Sequence, residues 1–236
     1  MIFVKFINKV ISWKKFIMHK TVENLIQIQK EIKEKITELK FNNYEPTIIA
    51  VSKTFSLEHI KHLIDHGHKH FGENKVQEAM DKWSDIKEKF GIKLHMVGKL
   101  QTNKVKQAVR IFDFIHSIDS EKLAQKVANE QKKINKNIKI FIQINIGDEA
   151  QKSGVEKQQS SNLIKFCLDN SLDIQGLMCL PPFGEDSTKY FLELSKMNND
   201  FNLTKTSMGM SDDYIKAINY KSSYLRIGSK IFGKRN

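Results

Sequence analysis

A closed barrel of eight parallel strands, each followed by a helix, is the fold this sequence predicts. Three observations point to it. Short apolar runs recur eight times, a helical pattern fills every gap between them, and several runs are continuously apolar, as strands covered on both faces are. The runs are TIIAVS, KHFGEN, KLHMVG, FDFIHSI, IKIFIQINI, DIQGLMCLP, LTKTSMGM and SYLRIGS. Between them stand amphipathic stretches, from SLEHIKHLIDHG after the first run to SDDYIKAINYK after the seventh. Eight such units in about 200 residues describe a single α/β domain, a TIM-type (β/α)8 barrel near the compact end of its size range. A doubly wound open sheet is the fallback. An additional helix, Val22 to Leu39, precedes the first strand.

Charge and composition exclude several classes. The chain has 39 Lys+Arg against 27 Asp+Glu, a formal net charge of +12. A basic surface suits nucleic acid, but the lysines are scattered on helices and often stand three or four residues from a glutamate, the pattern of a solvated face. No aromatic-basic recognition motif accompanies them, so no nucleic-acid partner is expected. Cys167 and Cys179 lack metal-ligand spacing; each sits in an apolar run, which suits buried free thiols in a reducing cytoplasm, with a disulfide open on count alone. HIKHLIDHGHKHF places His59, His62 and His66 on one helix face beside His68 and His70. Without a carboxylate or thiol to complete a ligand set they read as partly exposed helix and turn residues, and no metal is expected.

Residues 1–17 form a basic, apolar extension of uncertain role. Lys5, Lys9, Lys14 and Lys15 interrupt it, so it cannot span a bilayer. An upstream start with Met18 as the working start is one reading, and a surface-binding amphipathic helix is the other. The barrel domain is expected over 18–236.

In a barrel of this kind the chemistry lies at the C-terminal strand ends. The first strand ends on Lys53, an amine at the end of IIAVS, where desolvation disfavours the ammonium form. The seventh and eighth end in SMGMS and RIGS, which place Ser207, Gly209, Ser211, Gly228 and Ser229 in turns that open helices. Exposed N–H groups and hydroxyls in such turns make an anion nest, at the usual phosphate position of these barrels. An amine on one side and a phosphate nest on the other form a socket for a phosphorylated aldehyde, and pyridoxal 5′-phosphate (PLP) has both groups.

At this point the motifs resemble a known family. AVSKT with Lys53, HFGENKVQE, HMVGKLQTNK, HSID, IQINIGDEAQKSG, GLMCLPP, SMGMSDD and RIGSKIFG stand in order, and the resemblance they carry covers Val22 to Gly233. Together they are similar to the pyridoxal phosphate homeostasis protein family, a single-domain relative of the alanine racemase barrel (fold type III of PLP proteins). Ser229 stands where a threonine is common, and the hydroxyl survives; YIKAI after SMGMSDD is a helix variation.

The resemblance implies a PLP-binding protein of intracellular vitamin B6 homeostasis without turnover of its own. Lys53 would hold the cofactor as an aldimine. Ser207, Gly228 and Ser229 would bind its phosphate, Asn74 and Asn145 would line the ring's surroundings, and Arg226 would face the pyridine nitrogen. A cytoplasmic monomer is expected, with PLP-dependent apoenzymes as candidate recipients and no transmembrane segment. The alternative is a racemase-like enzyme on the same barrel. Racemases of this type carry a second, β-rich domain that supplies part of the site, and the sequence ends at Asn236 a few residues after the eighth strand, which favours the carrier.

Overall fold

A computed structural model describes residues 18–149 and 153–233. The extension 1–17, and with it the choice between its two readings, lies outside the described residues. Eight parallel strands close into a barrel: β1 (Thr47–Val51), β2 (His70–Glu73), β3 (Lys93–Met96), β4 (Phe114–Ile118), β5 (Lys139–Ile144), β6 (Asp173–Cys179), β7 (Lys205–Met210) and β8 (Tyr224–Ile227). Each strand pairs with the next in sequence. β8 closes on β1 through Thr47↔Tyr224 and Ile49↔Arg226.

Helix α1 (Lys20–Glu38) precedes the barrel. Helices α2 (Leu57–Asp65), α3 (Val76–Trp83), α4 (Val105–Ile111), α5 (Glu121–Lys133), α6 (Ser160–Asp169), α7 (Thr188–Asp200) and α8 (Tyr214–Ile218) fill the gaps, and α9 (Ser229–Phe232) follows β8. The expected eight-unit alternation is present, each strand one to three residues shorter than its apolar run. The runs overshoot because their outermost residues, at one end or both, belong to the turns rather than to the ladder.

Two apolar layers hold the fold together. Outside the sheet, the helix stripes and the outward strand residues form one apolar cluster, which Val22, Leu25, Ile28 and Ile32 of α1 join. Inside it, Ile49, Val51, Val97, Phe114, Phe141, Met178 and Tyr224 form a separate cluster. These come from alternate positions along their strands, as lumen-facing residues must. α1 also closes the ends of the chain on each other: the Asn24 side chain donates to the Ile231 carbonyl at 2.9 Å. Glu31 accepts from the Tyr214 hydroxyl and, at 3.2 Å, from Lys230.

Cys167 and Cys179 are free and buried, and burial pushes both thiols up to about 12. No helix among the described residues is long and apolar enough to cross a membrane.

Candidate functional site

The strand period places Lys53 on the inward face. Ile49 and Val51 belong to the lumen cluster, and Lys53 follows two residues later. The ladder outlasts the strand by one residue, since the Ser52 N–H donates to the Gly72 carbonyl at 2.9 Å. Lys53 is half-buried there.

Both neighbours of Lys53 are anchored to the HFGENKVQE stretch. The Ser52 hydroxyl donates to Glu73 Oε1 (2.8 Å), and the Ser52 carbonyl accepts from Lys82 Nζ (2.9 Å). On the other side the Thr54 N–H, with φ at +69°, donates to Glu78 Oε1. Lys82 joins the two carboxylates, at 2.8 Å from Glu73 and 3.1 Å from Glu78, and Trp83 Nε1 adds a bond to Glu73 at 3.0 Å. Burial raises the Glu73 carboxyl above its ordinary range against the pull of Lys82, Trp83 and Ser52. Glu73, Glu78 and Lys82 were not among the residues expected to support the site. Their signal was the i, i+4 spacing of Glu78 and Lys82.

β8 ends beside β1. An ideal Cβ on Gly228 would lie 3.3 Å from the Val51 carbonyl, so Gly228 and Ser229 stand next to the strand that carries Lys53. The backbone N–H groups of Gly228 and Lys230 both donate to the Ser211 hydroxyl, each at a long 3.3 Å. Ser229 is exposed at the start of α9.

Ser207 lies elsewhere than expected. The sequence reading set it at the phosphate nest, but its hydroxyl is fully buried below the rim. It accepts from Arg226 Nη1 at 2.6 Å and meets His116 Nδ1 at 2.9 Å. The reason is register: Ser207 pairs with Tyr224, in the middle of the lumen, while Ser211 four residues later reaches the rim. Arg226 is 4% exposed, and its Nη2 donates to the Cys179 carbonyl at 2.8 Å. These bonds engage two of the five guanidinium N–H groups.

The two asparagines take different places. Asn74 ends β2, next to β1, and is half-buried. A Cβ on Gly98 would come within 2.5 Å of the Asn74 carbonyl, so only glycine lets the β3 turn pass so close. Asn145, past β5 on the far side of the barrel, uses its amide on one loop: Nδ2 donates to the Glu149 carbonyl (3.0 Å) and Oδ1 accepts the Glu149 N–H (3.2 Å). Gly154, at φ +128°, packs its α-carbon against the Asn145 backbone. The strand ends thus bring Lys53, Asn74, Arg226, Gly228 and Ser229 together on β8, β1 and β2. Asn145 stands across from them and Ser207 beneath.

Comparison with known proteins shows the family and the fold. Residues 24–236 match the family model of the alanine racemase N-terminal domain. The pyridoxal phosphate homeostasis protein of Escherichia coli strain K12 is 34% identical over 230 residues, covering 93% of this chain and 98% of that protein. That of Pasteurella multocida is 33% identical over 226 residues, covering 91% and 97%. The chain belongs to the pyridoxal phosphate homeostasis protein family. Among solved structures, PipY of Synechococcus elongatus PCC7942 with PLP bound superposes with a TM-score of 0.73 at 29% identity, covering 86% of this chain and all of PipY. Alanine racemase of Clostridium difficile shares the fold, with a TM-score of 0.68 at 13% identity; the match covers 92% of this chain and 57% of the racemase.

The residues present fit a phosphorylated aldehyde. A half-buried primary amine stands at one strand end, and on the neighbouring strand end two backbone N–H groups converge on one acceptor oxygen at lengths that a charged acceptor would shorten. A buried guanidinium with donors to spare lies below.

Proposed function

We propose that this protein holds pyridoxal 5′-phosphate through Lys53 and serves the intracellular supply of that cofactor. The observation that carries the reading is the bracing of Lys53 on both sides, Ser52 to Glu73 and Lys82, Thr54 to Glu78, next to the N–H groups at the start of α9. When bound, the cofactor supplies an aldehyde that condenses with an amine. Lys53 provides the amine; Ser211, Gly228 and Ser229 receive the phosphate; Asn74 and Asn145 border the ring. Arg226 faces the ring nitrogen, and Ser207 holds Arg226. A cationic guanidinium there cannot accept a proton, and so weakens the ring as an electron sink.

The site holds without turning over. Inversion at an amino-acid α-carbon needs a positioned acid-base group on each face. Lys53 serves one face. Cys179 points to the outer core with its thiol held protonated, and the Tyr214 hydroxyl is tied to Glu31 and Lys230. The buried free thiols support a reducing, cytoplasmic setting, and PLP-dependent apoenzymes are the natural recipients.

The test is the visible spectrum of the purified protein before and after borohydride reduction, with peptide mapping. A phosphopyridoxyl group on Lys53, lost in Lys53→Ala, is expected; an adduct mapped wholly to another lysine overturns the assignment. α-Proton exchange of alanine or serine in deuterated water should be absent. Catalytic exchange that vanishes in Lys53→Ala would replace the carrier by a racemase.

A further inference from the structure

The barrel lumen contains a continuous row of hydrogen bonds. It starts at Arg226, which donates to Ser207 Oγ at 2.6 Å. Ser207 Oγ meets His116 Nδ1 at 2.9 Å, His116 Nε2 meets His95 Nδ1 at 2.9 Å, and His95 Nε2 meets His70 Nδ1 at 3.0 Å. Ser207, His116 and His95 are fully buried, and aromatic rings seal the sides: His95 stacks on Phe114 at 4.2 Å and His116 on Phe141 at 4.5 Å. His70 is half-buried at the opposite, N-terminal mouth. It borders a cleft of about 680 Å³ that is also lined by Ile32, Ile36, Tyr44, Ile48 and His68.

We propose that Ser207, His116, His95 and His70 form a proton relay through the barrel, by which the rim site exchanges a proton with solvent at the N-terminal mouth. His95 and His116 each use both ring nitrogens, one as donor and one as acceptor, and His70 ends the row through its Nδ1, so the row has a polarity. In one polarity Ser207 donates to His116, His116 Nε2–H to His95, and His95 Nε2–H to His70. One transfer moves every proton one place. A proton delivered from the rim by water is taken up by Ser207 Oγ as Ser207 gives its own to His116 Nδ1. His116 passes its Nε2 proton to His95 Nδ1, and His95 passes its Nε2 proton to His70 Nδ1. His70 then carries two protons and releases the one on Nε2 into the cleft. No bond to carbon changes, and one proton leaves for each that enters.

The surroundings suit transfer rather than storage. Burial, and Arg226 beside His116, keep His95 and His116 well below the ordinary imidazole range, so neither rests as a cation. Burial lowers His70 too, but it is the imidazole of the three that reaches the cleft. Around it stand Lys93 of β3, which disfavours its cation, and Asp113, which favours it; His68 lies beside it, its Nε2 bonded to the His70 carbonyl at 2.8 Å. Lys33 and Glu45 line the same cleft.

The tests separate the relay from the ligand. The relay's effect on the cofactor rests on the PLP reading, whereas its polarity does not. In the apoprotein with ¹⁵N-labelled histidine, His95 and His116 should carry their protons on the same ring nitrogen, both Nε2–H or both Nδ1–H. Protonated His70, which has only donors, should be seen only with the Nδ1–H pair. Opposite tautomers at His95 and His116, or tautomers indifferent to the state of His70, overturn the relay whether or not PLP binds.

In the PLP-loaded protein, a pH jump followed by absorbance should relax more slowly in His70→Gln by roughly a hundredfold, the size of a positioned proton-transfer group. Glutamine keeps a hydrogen bond to His95 but cannot pass a proton. Free imidazole admitted to the cleft of His70→Gly should restore the rate, which a purely structural role for His70 would not allow. An unchanged rate in His70→Gln, or failure of imidazole to restore it, overturns the relay while leaving PLP binding standing. A protein with coordinated tautomers that takes up no PLP would overturn the proposed function instead.

Discussion

The Glu78 carboxylate accepts the backbone N–H of Thr54, one residue past Lys53. The residue that holds the lysine turn in place therefore lies on α3, in the HFGENKVQE stretch. Removing it leaves the left-handed turn held by the bond from the Phe55 N–H to the Ser52 carbonyl at 3.2 Å. A charged acceptor is worth about 1.5–3 kcal/mol, nearer the low end at a half-exposed site. Glu78→Ala should therefore fold, bind PLP and release it about tenfold faster. Stopped-flow release into a PLP-scavenging apoenzyme measures this, and an unchanged release rate would show that the turn is rigid without Glu78.

Glu73 is the buried counterpart. Its side chain is fully enclosed, and Ser52, Lys82 and Trp83 all donate to its Oε1. Glu73→Ala strands an ammonium and an indole N–H. The cost should be about 3 kcal/mol, the low end for breaking a buried pair, because Glu78 still meets Lys82. Urea unfolding measures it; a loss below about 1 kcal/mol would mean that water replaces the carboxylate.

Ser211 and Ser229 test the phosphate end. If their hydroxyls and the α9 N–H groups bind a dianion, Ser211→Ala should weaken PLP at least about tenfold and leave pyridoxal nearly unaffected. Equal losses for the two ligands would place the phosphate elsewhere.

The buried histidines should make the protein acid-sensitive well above the carboxylate range. Burial lowers His68 to about 4, and holds His95 and His116 well below the ordinary imidazole range. For a group whose folded pKa is depressed, the unfolded chain takes up the proton first. Stability is full above the unfolded value near 6.5 and falls as pH drops toward the folded value, by about 1.4 kcal/mol per pH unit for each proton. His68→Phe should flatten that slope by one proton between about pH 6.5 and 4. Denaturant midpoints at a series of pH values decide it, and identical slopes would show that His68 is protonated in the fold.

The barrel was legible because its strands are apolar on both faces and its helices are not. Lys53 stood out for the same reason, as a charge at the end of an apolar run. Register was not legible. SMGMS offers two serines four residues apart, and only the pairing of Ser207 with Tyr224 sends the first into the lumen and the second to the rim. Likewise His95 and His116 sit in strands that read as apolar, and a lone imidazole there gives no sign that it stacks on Phe114 or Phe141 and bonds to the next. The histidine-rich stretch drew attention by number, yet His62 and His66 are exposed and only His70 at its end joins the row.

The closing pair Thr47↔Tyr224 joins residues roughly 180 positions apart. At about 5–20 residues per second, a ribosome completes β8 on the order of ten seconds or more after β1 has emerged. Throughout that interval β1 has one unsatisfied edge, and the lysine turn, whose braces all come from the β2–α3 segment, is ready long before the α9 amides exist. If Lys53 and the α9 amides hold PLP as proposed, the nascent chain would present the amine without its phosphate anchor, and selective capture of the vitamer would begin only when the last strand docks.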